Sequence, residues 1–132
     1  MANLQIGTRG ELDLVVSDEN AISFLGVDGA RVLATPYLIY YLEMAARNSV
    51  KPLLDEGFDT VGTRVNVRHL AATPMGMRVH FQSELTGIDD NRLLFKVEAF
   101  DDKEKIGAGT HERAVVNVAK FAARVLAKVA SC

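Results

Sequence analysis

Thr35, Glu43 and His69 are a hydroxyl, a carboxylate and an imidazole, the group types from which nucleophilic and general acid–base catalysis are built. Glu43 stands among Leu42, Met44, Ala45 and Ala46, so burial would suit it to base or acid duty. His69 has the one side chain that exchanges a proton near neutral pH without special tuning. Thr35 can orient substrate or water, or act as nucleophile. A second polar group lies in Gly109-Thr110-His111-Glu112-Arg113-Ala114-Val115-Val116, a segment that otherwise reads as a β-strand. Each residue also has a structural reading. Thr35 precedes a proline and reads as a helix N-cap. Glu43 can pair with Arg47 at i+4. Gly62 can mark a bulge, Arg113 can join a strand ion pair, and His80 and His111 read as satisfied strand residues.

The elements that must position these groups follow from hydrophobic periodicity. Thr35-Pro36 opens a helix over about 36–50, with Leu38, Tyr41, Leu42, Ala45, Ala46 and Ser49 at three-to-four spacing and Ile39, Tyr40 and Met44 on other faces. Such a helix is expected to be largely wrapped by protein. Before it, residues 11–16 alternate as a strand, and residues 20–34 read as a loop with one irregular helical turn, a candidate lid. After it, period-two alternation from Val61 predicts a strand with Val61, Thr63, Val65 and Val67 on one face and Gly62, Arg64, Asn66 and Arg68 on the other. Residues 77–85, 93–100 and 105–118 predict three more strands, joined by turns at 86–91 and 101–104. Residues 119–130 place Phe121, Val125 and Val129 at helical spacing opposite Lys120, Arg124 and Lys128, and read as a terminal helix or a fraying strand end.

One helix and about five antiparallel strands make an α+β fold in which the sheet wraps one long central helix, a single domain over 1–132. Such a sheet leaves edge strands that are commonly paired in a dimer, so a homodimer is expected. With 15 basic against 17 acidic residues and no basic cluster, no nucleic-acid partner is expected. No apolar run approaches a membrane span and no signal pattern opens the chain, so no membrane partner is expected. The single cysteine, Cys132, offers neither a disulfide framework nor a zinc site; a cytoplasmic protein without metal is expected.

The segments Gly109–Val116 (GTHERAVV) and His69–Gly76 (HLAATPMG), with the spacing from Thr35 to Glu43, resemble the hot-dog-fold acyl-CoA thioesterases, and most of all the fluoroacetyl-CoA thioesterase family. The resemblance runs from about Leu33 to about Arg124. It implies a hot-dog fold and a catalytic group of Thr35, Glu43 and His69, with Gly62 near the α-carbon of the substrate. In such a site Phe24 and Tyr37 are candidates for lining the acyl pocket, Tyr37 reading otherwise as a core or interface aromatic, and Arg113 is a candidate contact for coenzyme A phosphate or carboxylate groups. Residues 18–34 depart from the family pattern: the lid is shorter and offers only Phe24, so a preference for fluorine is not implied.

The activity so implied is hydrolysis of a small or medium acyl-CoA to the acid and coenzyme A, with no cofactor beyond the coenzyme A of the substrate. That reaction needs an activated water or hydroxyl, support for the oxyanion and an exit for the thiolate. The early helical amides of Tyr37 and Leu38 are candidate oxyanion donors. Eight helical residues rise roughly 12 Å, too far for Thr35 and Glu43 of one chain to bond directly. Either His69 bridges them or two subunits share a site, and the shared site is the more economical expectation. The alternative is a non-catalytic acyl-CoA-binding module of the same fold; enoyl hydration on this scaffold lacks its usual Asp/His pairing.

Overall fold

A computed structural model describes residues 3–132. Five strands form one antiparallel sheet: β1 (Arg9–Val15), β2 (Phe58–His69), β3 (Arg78–Asp89), β4 (Arg92–Asp101) and β5 (Lys105–Asn117), in the spatial order β1-β3-β4-β5-β2. Helix α1 (Thr35–Val50) packs on the concave face, and α2 (Val118–Ala130) follows β5. Chain order and spatial order differ because β2 crosses to the far edge, beside β5, while β3, β4 and β5 run as a meander. The expected sheet wrapped around one long helix is what the chain adopts.

The strands bury alternate residues against α1. From β3 and β4 come Val79, Phe81, Leu85, Leu93, Phe95, Val97 and Ala99, all closed to solvent. Leu38, Leu42, Ala45, Ala46 and Val50 answer from α1 at three-to-four spacing. At Gly10 the approach of sheet and helix leaves no space for a side chain: a β-carbon there would lie 2.7 Å from Ser49 Cβ. Most of α1 is buried or half-buried, as expected of a largely wrapped helix; Tyr37 and Tyr40, 41% and 52% exposed, belong to its open part.

Strand β2 corrects one expectation. A bulge between Gly62 and Arg64 breaks its register against β5, so Gly62 pairs with Arg113 while Val65 pairs with His111. The extra residue turns both Gly62 and Val65 toward α1, which strict alternation had put on opposite faces. Beyond β5, Asn117 Oδ1 accepts the Lys120 N–H and starts α2 as a capped helix, so the tail is helical rather than a frayed strand. Residues 20–34 contain one 3-10 turn at Asp28–Ala30 and are held by the Leu33 N–H to the Thr73 carbonyl and the Ala34 N–H to the Asn20 carbonyl.

Candidate active site

The loop 20–34 ends where α1 begins, and that junction determines what Thr35 does. Ala34 is the N-cap, and Thr35 is already helical. Its hydroxyl caps nothing and instead lies 2.8 Å from His69 Nδ1, so the N-cap reading is corrected. His69 reaches this position because β2 ends beside the first turn of α1, where the Leu70 N–H bonds to the Ile106 carbonyl. The imidazole lies behind Thr35: Thr35 is exposed, whereas His69 Nε2 is buried without a hydrogen-bond partner. Burial lowers the His69 pKa from its usual value, with the Ala71 backbone partly opposing, and so favours the neutral ring. A neutral ring with its proton on Nε2 accepts from the Thr35 hydroxyl, the arrangement a general base requires.

A cavity of about 460 Å³ opens over this pair, lined by Ile22, Phe24, Leu33, Leu70, Ala71 and Ala72 besides Thr35 and His69. Phe24 is therefore brought to the same place, at the rim and 80% exposed. Tyr37 is not in the lining; it stands on α1 with its ring 6.2 Å from that of Tyr41. The expected oxyanion donors are also corrected. The N–H groups of Tyr37 and Leu38 both bond the Ala34 carbonyl, and Pro36 has none, which leaves the Thr35 N–H as the free early donor of the helix.

Glu43, Gly62 and Arg113 form a second cluster, two turns along α1. Glu43 Oε2 lies 3.5 Å from Arg113 Nη1 and 4.0 Å from His111 Nε2. Arg47, the expected i+4 partner, pairs instead with Asp59 through two bonds of 3.1 and 2.7 Å, which tie α1 to the start of β2 and lower the Asp59 pKa. Arg113 is buried. Its Nε donates to Thr60 Oγ1, its Nη2 to the Thr60 carbonyl and its Nη1 to His111 Nε2. Buried in this way, its guanidinium stands against the Glu43 carboxylate.

His111, which from sequence reads as a satisfied strand residue, belongs to this cluster. Its Nδ1–H donates to the Arg64 carbonyl at 2.8 Å, so Nε2 is the acceptor facing Arg113. Burial lowers its pKa, with the Arg113 charge adding to the effect, and keeps it neutral. The usable signal was the i, i+2 spacing of His111 and Arg113, which puts both on the inner face of β5. Gly62 supplies the opening beside them. A β-carbon there would lie 2.6 Å from Glu43 Oε2 and 3.3 Å from His111 Cε1.

The sequence pattern of the fluoroacetyl-CoA-specific thioesterase family matches residues 16–119. The chain belongs to that family. The fluoroacetyl-CoA thioesterase of Streptantibioticus cattleyicolor is 34% identical over 131 residues, covering 95% of this chain and 94% of its own. A solved structure of a fluoroacetyl-CoA thioesterase superposes with a TM-score of 0.86 at 34% identity, covering 96% of this chain and 98% of the other. A thioesterase superfamily member from Thermus thermophilus does so at 0.87 and 31% identity, with 99% and 98% covered. The hot-dog fold and the family are thus those the motifs implied. Within this thioesterase-family chain, Thr35 and His69 are in contact, while Glu43, Gly62 and Arg113 form a separate group.

Proposed function

We propose that the protein hydrolyses a small or medium acyl-CoA thioester to the free acid and coenzyme A, as a homodimer in which each site is shared between two copies. The observation that carries the chemistry is the 2.8 Å contact between the Thr35 hydroxyl and a neutral His69 at the floor of a largely apolar cavity. The thioester carbonyl is placed over Thr35, with the acyl group toward Phe24 and Leu70. His69 Nδ1 takes the hydroxyl proton as Thr35 Oγ1 attacks, forming a C–O bond. The oxyanion meets the Thr35 N–H at the positive end of α1. Collapse breaks the C–S bond, and the proton on His69 passes to the coenzyme A thiolate. A water then attacks the acyl-threonine ester and gives its proton to Glu43, which returns it to Thr35 Oγ1 as the ester C–O bond breaks, releasing the acid and restoring the Thr35 hydroxyl.

Glu43 reaches that water through the second copy. β2 is an edge strand, and its residues 62–66 are exposed. A two-fold antiparallel pairing along this edge would bring the His69 end of one copy's β2 toward the Gly62 and Glu43 of the other. The single cysteine, Cys132, is exposed and free, which suits a reducing cytoplasm.

The test is release of free thiol from acetyl, fluoroacetyl, longer aliphatic and aromatic acyl-CoAs by the wild type and by Thr35→Ala, Glu43→Ala and His69→Ala. Turnover lost in all three supports the site, and an acyl adduct on Thr35 after rapid quenching supports the covalent step. Turnover retained by Thr35→Ala assigns attack to water, and no turnover on any ester leaves a binding module.

A further inference from the structure

His111 is a buried titratable group that the steps above do not use. It is 2% exposed and stacks against the Phe95 ring, with 6.2 Å between centroids. A phenylalanine would fill that space without the cost of taking an imidazole out of water. What a phenylalanine could not do is done by the two ring nitrogens, which bond in different directions.

On one side, Nδ1–H donates to the Arg64 carbonyl at 2.8 Å. Arg64 stands at the bulge of β2, where the register against β5 slips by one residue and the ladder is interrupted. Thr63 Oγ1 donates to the Glu112 carbonyl at 3.1 Å in the same place, so side chains hold the strands together across the bulge. That bulge is what turns Gly62 toward Glu43.

On the other side, Nε2 accepts from Arg113 Nη1 at 3.1 Å, while Thr60 takes the Nε and Nη2 of the same guanidinium. Held from both directions, the planar group cannot turn, and Nη1 is fixed 3.5 Å from Glu43 Oε2. Among the described residues, Arg113 and His111 are the only basic side chains within 4.0 Å of that carboxylate. A protonated His111 would set two cations 3.1 Å apart, so the ring serves Arg113 as a neutral acceptor.

We infer that His111 is a positioning residue for Glu43. Through Arg64 it fixes the bulge that sets Gly62 against the carboxylate, and through Arg113 it fixes the carboxylate itself. It touches no reacting atom. The inference rests on the reading above, in which Glu43 serves the release of the acyl group from Thr35, and it assigns His111 to that second step alone. Attack by Thr35 and departure of coenzyme A depend on the Thr35–His69 pair, which His111 does not contact.

Rapid-quench thiol release, with mass analysis of the protein, separates the two steps. It is measured on the ester that the wild type turns over fastest, for Glu43→Ala, His111→Phe, His111→Gln and His111→Asn. In His111→Phe the first turnover should release thiol at close to the wild-type rate, followed by a steady state slower by roughly 10²-fold while the acyl adduct accumulates on Thr35. Glu43→Ala should show the same pattern. Gln can place an acceptor near the Nε2 position and Asn a donor near the Nδ1 position, so each should recover part of the steady-state rate. Where His111→Phe does not fold, these two carry the test, with the same burst and a smaller loss. A His111 variant that slows the first turnover as much as the steady state, or that slows neither, overturns the inference. If Glu43→Ala accumulates the adduct and the His111 variants do not, the inference alone falls. If Glu43→Ala shows no burst and no adduct, the two-step reading falls and takes the inference with it.

Discussion

Thr35 and His69 show how position decides the role of a residue. A threonine before a proline would ordinarily cap a helix, but one further residue of helix, with Ala34 as N-cap, frees its hydroxyl for the imidazole. Thr35→Ala and His69→Ala are therefore expected to lower kcat by roughly 10²–10⁴-fold in thiol-release assays, with little change in thermal stability. The same contact predicts a pH profile. His69 must be neutral to accept a proton, and burial lowers its pKa, so the acid limb of kcat/KM should fall below the ordinary histidine value of about 6.5. Stability responds in the matching direction. His69 and His111 both have folded pKa values below their unfolded ones, so the unfolded chain takes up more protons as pH drops. Denaturation midpoints should hold above about pH 6.5 and decline below it. Gly62→Ala brings a β-carbon to 2.6 Å from Glu43 Oε2 and should displace that carboxylate, reducing kcat in a protein that still folds.

At the level of elements, α1 has two tasks that its sequence mixes together. Leu38, Leu42, Ala45, Ala46 and Val50 hold it to the sheet, while Glu43 and the Arg47–Asp59 pair set its rotation relative to β2. Leu42→Ala opens a cavity at a position 1% exposed and should cost about 2–5 kcal/mol in chemical denaturation. Strand β2 was legible as a strand but not in its phase. Its Val61, Val65 and Val67 fit one unbroken alternation, and nothing local reveals that residue 63 is an insertion against β5. The bulge is favoured because it lets Gly62 and Val65 both face the helix, which is a demand of packing between distant segments. The Glu43–His111–Arg113 cluster was half legible for the same reason. Glu43 precedes His111 and Arg113 by 68 and 70 residues along the chain and becomes their neighbour only when β5 and α1 stack.

For the whole molecule, the structure sets Thr35 and His69 apart from Glu43, and the open edge of β2 is where a second copy would reunite them. Mixing chains provides a sharp check. Thr35→Ala and Glu43→Ala proteins, each inactive alone, should regain activity when unfolded and refolded together. Random pairing gives half mixed dimers with one intact site of two, hence about one quarter of wild-type activity. A site contained in one chain would regain none.

Composition, periodicity and motif spacing were enough to determine an α+β chain with one long helix and about five antiparallel strands. The resemblance carried by the 109–116 and 69–76 segments also pointed to the family and to Thr35, Glu43 and His69 as candidates, because hydrophobic pattern and residue order are local properties that a chain carries unfolded. Tertiary structure alone decided which of those residues touch. It joined Thr35 to His69, gave Glu43 to Arg113 rather than Arg47, spent the Tyr37 and Leu38 amides on Ala34, and brought His111 into the site. Those choices depend on the twist of the sheet, one inserted residue in β2 and the rotation of α1. Each is set by the packing of segments far apart in sequence, where no short stretch of residues contains the information.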